Sequence, residues 1–331
     1  MKNTIRKIIE KTVIHFQIDK LILRLLPNGL YVFNFHRIGS KQDSEFARDV
    51  FSCSETAFEK IIIDIKQNFR IVTTNELEQK LQYKKNIDER LALITFDDGY
   101  IDNYTVAYPI LKKHEVPALF FLSTSLINSK KIAWWDEITF MLRRSVGSTV
   151  TLPDNSSTML LDENIIESQI QHYIQNTKRQ RKNNIPKVLE ELHNALPKQA
   201  ELLKNTPSLF MSWQNIKTMT ANNMEIGSHT VSHQILTSLA EDEQEYEITR
   251  SKQIIEEEIA STISAFAYPV GSSYCYNDTS KKLCQKAGYL FAFNNQSGIN
   301  KTLNDPFNLY RICIDNDNLH KFRFKIWINR K

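Results

Sequence analysis

Short runs of β-branched and aromatic residues alternate along this chain with longer amphipathic stretches, and that alternation restricts the fold more than any other feature. Strand candidates fall at 30–35, 70–73, 91–96, 118–122, 224–227, 264–268, 290–293 and 310–314. Helical patterns lie between them. Residues 56–68 carry Phe58, Ile61, Ile62 and Ile65 as one stripe, and 102–114 and 241–260 look similar, the latter charge-rich and therefore largely on the surface. Such strand–helix alternation argues for an α/β fold built on a parallel sheet. The stretch 134–207 departs from it, being polar, charged and mostly helix-forming, and reads as a helical insertion between two strand–helix units.

Distinctive residues follow the ends of the strand candidates. Asp97 and Asp98 come after 91–96, His229 after 224–227, Pro269 to Gly271 after 264–268, and His36 after 30–35. In barrels of parallel strands, active sites gather at the C-terminal strand ends, so polar clusters far apart in sequence can converge there. Thr95-Phe96-Asp97-Asp98-Gly99 places two carboxylates side by side, and Ser228-His229-Thr230-Val231-Ser232-His233 places two imidazoles four residues apart. One carboxylate with two imidazoles is a three-ligand set for a catalytic divalent metal, with a position left open for water. The other carboxylate can then act as a base, which is the core of a metal-dependent hydrolase. The plainer alternatives are a pair of core or surface histidines and an acidic turn that caps a helix starting near Asp102, with Gly99 giving the tight turn. Both aspartates cannot be mere caps.

Bulk properties narrow the class. The chain has 331 residues, 41% hydrophobic and 24% charged, which is ordinary for a soluble globular protein. A net charge of +4 spread over 42 basic and 38 acidic residues, without a basic stripe interleaved with aromatics, gives no reason to expect nucleic-acid binding. The densest cationic run, Lys178-Arg179-Gln180-Arg181-Lys182, reads as a solvated face. Cys53, Cys275, Cys284 and Cys313 lack CxxC spacing and are expected to be buried free thiols. No stretch approaches the ~20 consecutive apolar residues needed to span a bilayer. Residues 1–26 alternate charge with apolar residues and lack the uninterrupted apolar core of a secretory signal. An amphipathic helix on the domain is the expectation there, with a membrane-surface role as the alternative and a cytoplasmic location in either case.

Together with Phe266-Ala267-Tyr268-Pro269-Val270-Gly271, the aspartate and histidine motifs resemble the first three motifs of the polysaccharide deacetylases, the NodB-homology group or carbohydrate esterase family 4. The resemblance spans 30–326, excluding the insertion. It implies a distorted (β/α)7-type barrel of mainly parallel strands at 30–331, interrupted at about 134–207 and preceded by a helical segment at 1–29. It also implies removal of acetyl groups from an N-acetylated carbohydrate by a divalent metal, zinc first, with cobalt, manganese or nickel able to fill the same ligands. By motif position Asp98, His229 and His233 would hold the metal and Asp97 would be the general base. The backbone N–H of Val270 would be the oxyanion donor, with Tyr268, Pro269 and Gly271 around it at the substrate.

Two features depart from the pattern. The third motif usually opens with an arginine that pairs with the catalytic aspartate, and Ala267 stands there; Arg311 is the candidate to supply the guanidinium from another strand end. The Leu-x-His motif of the catalytic acid is missing after Tyr310, while Asn34-Phe35-His36 resembles it displaced to the N-terminus, as in circularly permuted members, which makes His36 the candidate acid. Trp134 and Trp135, at the head of the insertion, are candidate sugar-stacking residues, or else anchors of the insertion. The competing functions are a deacetylase-like module that grips sugar without turnover and, more remotely, a metal-dependent glycosyltransferase. The second lacks a phosphate-cradling glycine loop in a chain with only 8 glycines.

Overall fold

The computed structural model describes residues 12–13, 18–83, 87–151, 158–180 and 184–329. Eight strands form one sheet: β1 (Gly29–Phe35), β2 (Arg70–Ile71), β3 (Arg90–Phe96), β4 (Leu119–Leu122), β5 (Glu225–Ser228), β6 (Ala265–Ala267), β7 (Phe291–Phe293) and β8 (Ile312–Cys313). Their order is β7-β6-β5-β4-β3-β1-β8, with the short β2 beside β3, and every pairing is parallel. A single parallel bridge between Phe293 and Leu309 brings the two ends of the sheet together, so the sheet curls into a barrel.

Both faces of the sheet are covered, which is why its strands read as nearly continuous apolar runs. Side chains alternate between the faces with period two. Tyr31, Phe33 and Phe35 of β1, with Ala92, Ile94 and Phe96 of β3, pack outward against Phe58, Ile61, Ile62 and Ile65 of the helix Glu55–Asn68. Leu30, Val32, Leu91, Leu93, Leu119 and Phe121 fill the interior. Continuing each interior column toward the C-terminal strand ends leads to Asn34 on β1 and to Thr95 on β3, which are register partners. The apolar filling therefore gives way to polar groups at the end where the motifs lie.

Gly227 in β5 marks a close approach: a Cβ there would lie 2.6 Å from the Phe121 ring and 2.9 Å from the Ala265 carbonyl oxygen. Gly227→Ala is expected to destabilise the fold by about 1–3 kcal/mol through overpacking, as measured by chemical denaturation.

The helix expected at 102–114 is two pieces. A π-helical turn, Asn103–Ala107, precedes an α-helix, Tyr108–Lys113. Pro109 lacks an N–H, so it cannot donate into the ladder, and the hydrogen-bond spacing widens before it. Of the segment expected to be helical at 1–29, helix Asp19–Arg24 is described; Ile22 and Leu23 face inward, while Ile18, Leu21 and Leu25 are exposed. The remainder, 1–11 and 14–17, lies outside the described residues. No described helix is long and apolar enough to cross a membrane. The cysteines are free thiols, Cys313 half-buried and the others buried.

The insertion holds helices Trp134–Arg143, Ile166–Gln180, Ile185–Ala195 and Pro197–Leu203 around a separate apolar core. It also carries an antiparallel pair, Thr149–Thr151 with Thr158–Leu160, that its polar composition did not announce.

Candidate active site

Asp98 follows β3 in the left-handed region, with φ of 74°. His229 follows β5, its N–H donating to the Leu122 carbonyl at 2.9 Å, and its Nδ1 lies 2.7 Å from the Ala267 carbonyl oxygen. That contact aims Nε2 toward Asp98, 3.6 Å away. His233 Nε2 lies 3.3 Å from the same carboxylate oxygen. A turn rather than a helix joins the two imidazoles. Glu247 holds that turn by accepting from the N–H of Val231 at 2.8 Å and of Ser232 at 2.9 Å, and from the Ser232 hydroxyl at 2.6 Å.

Asp98 Oδ1 is buried with no hydrogen-bond partner. Leaving such an atom unsatisfied is expensive. One ligand atom from each of Asp98, His229 and His233 lies within 4.8 Å of the others, so this donor set fits a single cation. Burial pushes the His229 pKa down to about 4, despite the opposing Asp97 charge, so its imidazole is neutral at neutral pH, as a metal ligand must be.

Asp97 is clamped from another direction. The fully buried Arg311, just before β8, donates from its two terminal nitrogens to Oδ1 at 2.7 Å and Oδ2 at 2.9 Å. Asn34 Nδ2 donates to Oδ2 at 3.0 Å. Asn34 Oδ1 in turn accepts from Arg311 at 3.0 Å and from the Thr95 hydroxyl at 2.8 Å, and Arg311 Nε donates to the Asn294 carbonyl at 2.7 Å. Burial works to raise the Asp97 pKa, but Arg311, with His229 and His36, holds it well below the usual carboxylate range. Asp97 does not cap the following helix. The half-buried His36 Nε2 lies 3.7 Å from Asp97 Oδ2.

After β6 the chain turns through two left-handed residues, Val270 (φ 62°) and Gly271 (φ 64°). For a β-branched residue that conformation is a genuine outlier, of the kind that clusters at functional sites. Gly271 is obligatory: a Cβ would lie 2.6 Å from the Asn295 nitrogen. Among the described residues nothing accepts the Val270 N–H.

His36, Asp97, Asp98, His229, His233 and Val270 line one cavity of about 160 Å³, together with Asn295, Asp49 and Val50 of the barrel. The insertion contributes Trp135, Ile174 and Lys178. A larger hollow of about 310 Å³, at 39–42, 51–56 and 315–317, contains none of these groups.

Three expectations are corrected. Trp134 does not reach the cavity: it is buried in the insertion core against Trp135. Trp135 does, its ring centroid 4.4 Å from that of His233 and its Nε1 donating to the Tyr100 hydroxyl at 2.8 Å. Tyr268 is also away from the cavity, stacked on Tyr276 with its hydroxyl donating to the Phe307 carbonyl; Pro269 and Gly271 shape the turn without lining the cavity. Finally, the cationic run is not simply a solvated face. Lys178 is half-buried in the cavity wall, Arg179 is exposed, and 181–182 lie outside the described residues. Sequence reasoning missed Asn34, Asp49, Lys178 and Asn295. Asn34 alone carried a signal, as the polar member of an otherwise apolar interior column.

The model of the polysaccharide deacetylase family matches residues 84–180 and 165–292, and the chain belongs to that family. The match leaves β1, with Asn34 and His36, and Arg311 outside it. Bacillus subtilis (strain 168) YxkH, whose name places it among the polysaccharide deacetylases, is 22% identical over 288 residues, 87% of this chain and 72% of that protein. Among solved structures, Streptococcus pyogenes deacetylase PplD in complex with acetate and IcaB from Ammonifex degensii each superpose with a TM-score of 0.59 at 18% identity. The match covers 92% of this chain in both cases, and 99% and 98% of those chains. At that identity the likeness establishes a shared barrel fold.

Proposed function

We propose that this protein is a metal-dependent carbohydrate N-deacetylase, hydrolysing the N-acetyl group of an amino sugar to acetate and a free amine. The observation that carries the reading is the unpartnered, buried Oδ1 of Asp98 facing two imidazole nitrogens, with an ionised carboxylate on the preceding residue, Asp97. One carboxylate oxygen and two imidazole nitrogens suit zinc, with cobalt, manganese or nickel as alternatives. A divalent cation held there supplies Lewis acidity and lowers the pKa of water from about 15.7 to near 7.

The chain's own groups divide the remaining work. Asp97, kept ionised by Arg311, accepts a proton from the attacking water. The Val270 N–H donates to the carbonyl oxygen as negative charge develops on it. His36 gives a proton to the departing nitrogen as the carbon–nitrogen bond breaks. Trp135 closes the cavity beside His233 and limits the water that can enter.

Removing the metal with a chelator is expected to abolish acetate release from N-acetylated chito-oligosaccharides, and added zinc to restore it. Asp98→Ala and His229→Ala are expected to lower metal content below one ion per chain in elemental analysis. Acetate release that survives the chelator, or full metal content in both variants, would refute the proposal.

A further inference from the structure

One basic and one acidic side chain in the cavity take no part in this chemistry. Lys178 comes from the insertion helix Ile166–Gln180 and is half-buried; Asp49 comes from the turn Arg48–Val50 and sits at the exposed rim. Burial pushes the Lys178 pKa down while the Asp49 and Asp98 charges oppose that shift; its Nζ lies 5.9 Å from the Trp134 ring centroid, and it forms no ion pair with Asp49. The two walls are tied together. Glu167 accepts from Arg48 at 3.0 Å and from Arg143 at 2.9 Å, and Asp136 accepts the Ala47 N–H at 2.8 Å. Opposite charges that line one cavity on braced elements without meeting leave room for a ligand group between them.

The charge balance indicates which group. A solitary lysine selects an anion, but here Asp49 shares the cavity with it. A nearly balanced site suits a neutral group that both donates and accepts, and a hydroxyl does both. Trp135 and Ile174 add apolar surface suited to the C–H face of a sugar ring. We infer that Lys178 and Asp49 together hold one free hydroxyl of the acetylated sugar, Lys178 donating and Asp49 accepting. The pair thereby determines which ring position must be unsubstituted. This rests on the carbohydrate reading of the cavity.

The test uses the full chain with its metal and tri-N-acetylchitotriose as probe. Lys178→Gln and Asp49→Asn are each expected to raise KM about 10-fold, the effect of losing a hydrogen bond to a charged group. The turnover number should stay within about two-fold and the thermal midpoint should be unchanged, while Lys178→Arg retains most of the affinity. In a series of monodeoxy derivatives, one is expected to bind the native protein as weakly as the parent binds the Lys178→Gln variant, and to be indifferent to that substitution. An unchanged KM, a loss of turnover alone, or a loss confined to phosphorylated or carboxylated sugars overturns the inference. Calorimetric binding separates it from the deacetylase reading. Sugar binding that weakens in the variants without any acetate release refutes only the catalysis; acetate release at unaltered KM refutes only the hydroxyl contact.

Discussion

Asp97→Asn is expected to lower the rate of acetate release by about 10²–10⁴-fold, the usual worth of a positioned general base, with metal content unchanged. Asparagine is nearly isosteric and can still accept from Arg311, so the loss would report proton transfer rather than collapse. The residue touches neither imidazole in the way Asp98 does: its oxygens are committed to Arg311 and Asn34. Elemental analysis and steady-state kinetics on the same preparation check both halves. Loss of the metal along with activity would move Asp97 from base to ligand. The Arg311 clamp also carries a cost for catalysis, since a carboxylate held below its usual range is ionised at every working pH but is a weaker base. Protonation of Asp97 is therefore not expected to shape the pH profile near neutrality.

The second large effect concerns that clamp. Arg311→Met leaves Asp97 buried and uncompensated, and is expected to cost about 3–5 kcal/mol in chemical denaturation. Adding Asp97→Asn to it should recover at least half of the loss, because the stranded charge is then gone. If the double variant is no more stable than Arg311→Met, the pair is not coupled and the contact is incidental. The sign with pH follows from the depressed pKa. Stability from the pair is fully present above the unfolded-state value of about 3.9 and is lost as pH falls through the lower folded-state value. Arg311→Met should remove that acid-side dependence.

The parts of this molecule that could be read in advance share one property: a neighbour in sequence decides them. Strands β1 and β3 were legible because burial on both faces demands continuous apolar runs. Asp97, Asp98 and His229 were legible because each directly follows such a run. Arg311 could be named as a candidate, but its place against Asp97 depends on β8 lying beside β1, which no local pattern encodes. Trp134 and Trp135 are indistinguishable in the chain, yet successive helical positions lie a little over a quarter turn apart, and that rotation sends one ring into the insertion core and the other to His233. Lys178 was misread for a similar reason. A run of cations says nothing about which of them the tertiary fold turns inward.

The Asp97 carboxylate is fixed by side chains from positions 34 and 311, separated by 277 residues. During synthesis, a ribosome-bound chain that has not yet released Arg311 holds a complete ligand set for an ion but an Asp97 without its guanidinium. Hydrolytic competence would thus wait for a loop closure across the 277 residues between Asn34 and Arg311, among the slower kinds of contact to form.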